Sequence, residues 1–156
     1  MYDKKIMDEA IALSRTCLAT GKGGPFGAIV VKDGQIIGKG GNRVSLDQDP
    51  TAHAEIVAIR EACRTLASFS LEGCEVYCSC EPCPMCLGAL YWARPAKIYY
   101  AATKTDASAA GFDDSFIYEE IELDPAKRHI PTEQHEQQEA AEVLTAWSSL
   151  ESKIEY

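Results

Sequence analysis

Thr51-Ala52-His53-Ala54-Glu55 and Glu81-Pro82-Cys83-Pro84-Met85-Cys86 are the two runs that decide how this chain reads. Together they offer one imidazole, two thiols and a carboxylate that is not needed as a ligand. His53, Cys83 and Cys86 make a three-ligand set for tetrahedral zinc. The fourth position stays open to water, which separates catalytic zinc sites from closed structural ones. Zinc so held brings the pKa of its water near neutrality. Glu55 is then the base that takes the water's proton and the acid that later delivers it. Neither run is informative alone. Cys-x-x-Cys also marks redox motifs and zinc fingers, and an isolated His53 is more often a surface or core histidine. A closed site on Cys78, Cys80, Cys83 and Cys86 is the structural alternative, but it has no use for His53 or Glu55.

Working outward, Thr51 to about Ala67 reads as a helix with Ile56, Ala58, Ile59, Ala62, Cys63 and Leu66 as its apolar stripe and Asp49 or Thr51 as its cap. His53 then falls in its first turn, where residues i and i+2 do not share a face. How His53 and Glu55 reach one metal is therefore left to local geometry. Glu75 to Cys80 reads as a strand, with Cys78 and Cys80 turned to the core. Cys83 to about Ala93 reads as a helix, with proline tolerated only near its start. A helix start favours thiolate.

Upstream, residues 2 to about 20 have helical spacing (Ile6, Ala10, Leu13, Cys17, Leu18), with Gly21 as the stop. Phe26 to Lys32 and Gln35 to Gly40 read as strands joined at Asp33-Gly34, a strong hairpin signal. Asn42 follows as a turn residue or as an amide able to read a base edge. Downstream, Lys97 to Ala101 is a short strand, Asp113-Asp114 lies between aromatics, and Glu136 to about Ile154 is an amphipathic helix. Asp113-Asp114 suits either a surface helix cap or a carboxylate facing a substrate's amino and ring N–H groups. The alternation of strands and helices predicts an α/β layered fold with helices on a central sheet.

With 156 residues, 46% apolar and 25% charged, the chain suits one soluble domain. Apolar runs fall short of the ~20 residues that span a bilayer. No signal peptide is expected after Met1-Tyr2-Asp3-Lys4-Lys5. A net charge of −9 without a Lys/Arg cluster argues against tRNA or DNA and for a small substrate. Seven cysteines without an export signal point to metal chemistry in a reducing cytoplasm.

These residues resemble the cytidine-deaminase-like zinc nucleobase deaminases through Thr51-Ala52-His53-Ala54-Glu55 and Cys80-Glu81-Pro82-Cys83-Pro84-Met85-Cys86. Within that superfamily the chain is similar to bacterial guanine deaminases. Gly23-Gly24-Pro25-Phe26-Gly27, Asp49-Pro50-Thr51, Leu87 to Pro95, Ala110 to Tyr118 and Glu155-Tyr156 carry the likeness. Leu123 to Ala140 matches least well. The resemblance implies a three-layer α/β/α fold on a mixed five-stranded sheet and one deaminase domain over 1–156. It implies one zinc per subunit and a homodimer in which the segment 136–156 swaps onto the partner. It also implies hydrolysis of guanine to xanthine and ammonia, with Phe26, Asn42, Asp114 and Tyr156 around the purine. Another aminated heterocycle, such as ammeline, cytosine or adenine, is the alternative substrate, because the metal site alone does not choose the ring.

Overall fold

The computed structural model describes residues 1–21 and 23–155, so the expected role of Tyr156 lies outside the described residues. The chain forms two compact units, Met1–Asp114 and Ser115–Tyr156.

The first unit is built on a mixed sheet of β1 (Gly27–Lys32), β2 (Gln35–Gly41), β3 (Glu75–Cys80) and β4 (Lys97–Ala102), in the order β2-β1-β3-β4. Among the described residues it has four strands, one fewer than the resemblance implies. β1 pairs antiparallel with β2 and β3, whereas β3 and β4 run parallel. The parallel pair needs a crossover, and α4 (Pro84–Ala93) supplies it. Asp33 and Gly34 have φ of 50° and 76°, as the tightest hairpin turns require.

Side-chain alternation sorts the two faces. Ile29, Val31 and Tyr77 pack with Met7 and Ala10 of α1 (Lys4–Thr20). Ala28, Val30, Val76 and Cys78 pack with Ala54, Ala58 and Ala62 of α3 (Ala54–Leu66) and Leu90 of α4. The helix α1 is capped by Asp3, whose side chain accepts from the Lys5 N–H, and stops at Gly21 with φ 62°. Leu18, expected on its apolar stripe, is exposed. A short helix, α2 (Val44–Asp47), follows β2.

The start of α3 is pressed onto β2. A Cβ at Gly40 would stand 2.0 Å from the Ala54 carbonyl oxygen, and one at Gly38 2.5 Å from that of Ala58. Only glycine lets the strand backbone pass that close beneath the helix. This contact sets the position of the residues at the head of α3.

After β4, Thr103 and Asp106 form a reciprocal capping box for α5 (Lys104–Ala109). The second unit holds α6 (Ser115–Glu122), a 3-10 turn at Pro125–Lys127 and α7 (Gln137–Ser148). The helix α7 ends before Ile154, so the expected terminal helix is shorter than its apolar pattern suggests. Neither α6 nor α7 contains a buried residue.

Candidate active site

The two motif runs meet at the heads of two helices. His53 is the residue before α3 and Cys83 the residue before α4, and both have extended backbone (φ −66°, ψ 157° and φ −64°, ψ 168°). His53 is therefore not in a first helical turn, where a helix beginning at Thr51 would have put it. The extended residue breaks the helical rule against i, i+2 neighbours and turns both side chains to one place. The expected Asp49 or Thr51 cap is absent, because Asp49 Oδ1 accepts from the Thr51 backbone N–H at 2.8 Å and its hydroxyl at 2.6 Å. Pro84 occupies the first position of α4, where a missing N–H costs nothing.

His53 Nδ1 lies 3.5 Å from Cys83 Sγ and 3.5 Å from Cys86 Sγ. The three ligand atoms lie within 4.8 Å of one another. Two ligands at ordinary zinc–nitrogen and zinc–sulfur bond lengths, separated by a tetrahedral angle, stand about 3.6 Å apart. The donor set and its spacing thus fit zinc, with His53 turned to bind through Nδ1. Cys86 Sγ also lies 3.5 Å from Glu55 Oε2, so the buried carboxylate borders the ligand set.

Electrostatics agree with this geometry. Cys83 is lowered to about 4 by hydrogen bonding from Cys86 and from His53 against the cost of burial, making it the thiolate. Cys86 is raised by that thiolate and by burial. His53 is raised, first by its hydrogen bond with Cys83. Burial raises Glu55, which moves a carboxyl group toward the range where it both takes and gives protons near neutral pH. Cys78 and Cys80 are pushed up by burial, Cys80 to about 11, and remain thiols in the core.

The remaining candidate residues are Asn42, Asp114 and Phe26, and the cleft that Phe26 lines includes none of the four clustered residues. Asn42 follows directly after β2 and is 8% exposed. The Arg43 N–H donates to the Ala52 carbonyl at 2.9 Å, which ties Asn42 to the residue before His53. Asp114 is half-buried and raised by that burial, with Cys83 contributing repulsion and Lys104 attraction. Phe26 meets Phe112 edge-to-face with centroids 4.9 Å apart. Both rings line a cleft of about 330 Å³ with Pro25, Cys80 and Asp106. Phe112 was not singled out by its sequence context, where it reads only as an aromatic beside two carboxylates. His129 and His135 are exposed.

The cytidine and deoxycytidylate deaminase zinc-binding region matches residues 1–102. The guanine deaminase of Bacillus subtilis is 50% identical over 156 residues, covering 100% of both chains. Its crystal structure superimposes with a TM-score of 0.95, covering 100% of this chain and 99% of that one. A tRNA-specific adenosine deaminase of Aquifex aeolicus is 43% identical over 78% of each chain. The imidazole, the two thiols and the adjoining carboxylate fall within the matched region, and this chain belongs to the cytidine and deoxycytidylate deaminase zinc-binding family.

Proposed function

We propose that this protein is a zinc-dependent guanine deaminase, hydrolysing guanine to xanthine and ammonia. The observation that carries the proposal is the placement of His53 Nδ1 3.5 Å from both thiols, with Glu55 Oε2 3.5 Å from one of them. The full-length likeness to a guanine deaminase supports guanine as the ring. Zinc, when bound by His53, Cys83 and Cys86, supplies a water acidic enough to attack at neutral pH.

Glu55 takes the proton released as water adds to C2 of the ring. It passes that proton to the neighbouring ring nitrogen, then takes the remaining proton of the added hydroxyl as the C2 carbonyl forms and delivers it to the departing amine, so one water is consumed for each ammonia released. Its raised pKa suits both directions of transfer. Asp114 accepts from the N–H groups of the guanine edge, since a charged acceptor makes the stronger hydrogen bond. Asn42 holds the opposite edge, and Phe26 packs near the base. The site holds one zinc per subunit.

Residues 1–156 act as one deaminase domain in a homodimer, with the segment 136–156 crossing to the partner. The exposed apolar side chains of α7 support this reading: Val143 is 69%, Leu144 70% and Trp147 44% exposed. A helix with such a stripe is stable when it is covered. Among the described residues no helix is long and apolar enough to cross a membrane. We place the enzyme in the cytoplasm, where free thiols persist.

The likeness to a tRNA-specific adenosine deaminase favours a second reading, but the net charge of −9 opposes it. The deciding assay is ammonia release from guanine beside adenine, cytosine, cytidine and ammeline. Preference for guanine is expected. Comparable or faster release from another ring would replace guanine as the substrate.

A further inference from the structure

Glu81 opens the second motif run, yet neither the metal set nor proton transfer uses it. It is half-buried and follows directly after β3, on the loop that leads to Cys83. Its main chain and its side chain both reach the segment that leaves β4. The Glu81 N–H donates to the Ala102 carbonyl at 2.8 Å, and Glu81 Oε2 accepts from the Lys104 N–H at 3.1 Å. Cys80 Sγ adds a weaker contact to the Thr103 carbonyl at 3.6 Å.

Lys104 is the first residue of α5, and its N–H is one of the donors that a helix head leaves without an intrahelical partner. The capping box occupies two neighbouring donors. The Thr103 N–H goes to Asp106 Oδ2 at 2.8 Å and the Asp106 N–H to Thr103 Oγ1 at 3.3 Å. Glu81 supplies the acceptor for Lys104 from another part of the chain, and its carboxylate meets the positive end of the helix. The far end of α5 is bound as closely. The Gly111 N–H donates to the Ser108 carbonyl at 2.9 Å and the Phe112 N–H to the Ala107 carbonyl at 3.0 Å, with Gly111 at φ 92°. Phe112 then packs edge-to-face on Phe26, and Asp114 follows. A short series of fixed groups thus runs from the loop that carries Cys83 to the carboxylate assigned to the guanine edge. Asp114 senses both ends of it: after burial, which raises it most, Cys83 raises it further and Lys104 lowers it.

We infer that Glu81 is a positioning residue: by accepting from the Lys104 N–H it fixes α5, and with it Asp114, in register with the zinc ligands. This deepens the guanine deaminase reading and rests on it for the role of Asp114, whereas the tie between Glu81 and α5 stands apart from it. The zinc ligands and Asp114 lie on separate segments, and a misplacement of about 1 Å in a substrate-holding group is enough to weaken its hold.

The test compares the zinc-loaded full chain with Glu81→Ala and Glu81→Gln. Glutamine keeps an oxygen that accepts from the Lys104 N–H, and alanine keeps none. Amide hydrogen exchange at Lys104 reads the tie without any substrate. It should accelerate on the order of 10-fold or more in Glu81→Ala and stay within about 3-fold of the parent in Glu81→Gln. Unchanged exchange in Glu81→Ala would show that no tie exists. Zinc stoichiometry should stay parental in both variants. Zinc lost from Glu81→Ala would confine Glu81 to the ligand loop and overturn the inference.

The second arm measures guanine turnover. Glu81→Ala should raise KM on the order of 5-fold with kcat within about 2-fold, and Glu81→Gln should restore KM. In an Asp114→Ala background Glu81→Ala should change KM by less than about 2-fold, because the group it positions is already gone. A parental KM in Glu81→Ala, a full effect in that background, or a Glu81→Gln enzyme no better than Glu81→Ala would each overturn the inference. Should Glu81→Ala fold poorly, Lys104→Pro removes the same bond from the other side, at a first helical position that proline fits, and Lys104→Ala controls for the lost ammonium. KM should then be on the order of 5-fold higher in Lys104→Pro than in Lys104→Ala, and equal values would sink the proposal. A parent that releases no ammonia from guanine sinks the substrate reading alone. The exchange arm still decides the tie, and the KM arm is read on whichever ring is deaminated.

Discussion

Cys86 Sγ stands 3.5 Å from Glu55 Oε2 although the two residues belong to different helices and different motif runs. The contact places a buried carboxyl group against the ligand set without making it a ligand. Glu55 therefore remains available for proton transfer. Glu55→Gln keeps the shape and loses the proton. It is expected to bind zinc at the parent stoichiometry while ammonia release falls by about 10²–10⁴. Metal analysis beside a turnover assay checks this, and near-parent turnover would remove Glu55 from the mechanism.

Zinc must compete with protons for its ligands. In the metal-free protein Cys83 is already thiolate at neutral pH, being lowered to about 4, whereas Cys86 is held as a thiol and His53 is raised toward its charged form. Loading zinc should therefore release about one to two protons near pH 7, and affinity should weaken as the pH falls. Calorimetry in buffers of different ionisation enthalpy counts the protons. Release of none would contradict the thiol state of Cys86. His53→Ala or Cys83→Ser should abolish stoichiometric zinc, and chelation of the parent should remove activity that added zinc restores.

On the proposed role Asp114 binds the guanine edge most strongly as a charged acceptor, and burial raises its pKa above the usual value. Protonation on acidification removes that charge, so kcat/KM for guanine should fall as the pH drops through the raised value. Asp114→Asn should raise KM on the order of 10-fold at neutral pH and abolish that limb of the profile. An unaltered acid limb in the variant would assign it to another group.

Gly40 lies where β2 passes under the head of α3, and a methyl group there would overlap the Ala54 carbonyl oxygen at 2.0 Å. Gly40→Ala should cost about 1–3 kcal/mol by overpacking. The Tm should drop by several degrees, with weakened zinc retention because His53 rides on the same helix start. A Tm unchanged in the zinc-loaded protein would mean that the helix moves aside without loss.

Leu144 is 70% exposed in the single chain. A substitution at a solvent-facing position usually stays within about 0.5 kcal/mol. If α7 is covered by a second copy, Leu144→Glu instead buries a charge at the interface and converts dimer to monomer in light scattering. A parent that is monomeric at assay concentration would dispose of the swapped dimer directly.

The zinc-ligand set was legible in His53, Cys83, Cys86 and the spare carboxylate of Glu55, because metal chemistry admits few residue types at few spacings. The strand–turn–strand of β1 and β2 was equally plain, since Asp33-Gly34 accepts positive φ and the flanking residues favour strands. Other features depended on contacts that local pattern does not encode. The extended backbone at His53, which lets it share a site with Glu55, is that of the residue before α3, and where α3 begins was not evident from residues 51–55. Neighbouring residues suggested caps at Asp49 or Thr51, but Asp49 closed its own turn instead. The two N–H groups that meet at the Asn42 side-chain oxygen come from separate parts of the chain, Gly24 and Val44. Sequence by itself determined which atoms could hold a metal and which carboxylate could move a proton. Tertiary structure alone decided which way each group points, because orientation is set by packing and hydrogen bonds between segments far apart along the chain.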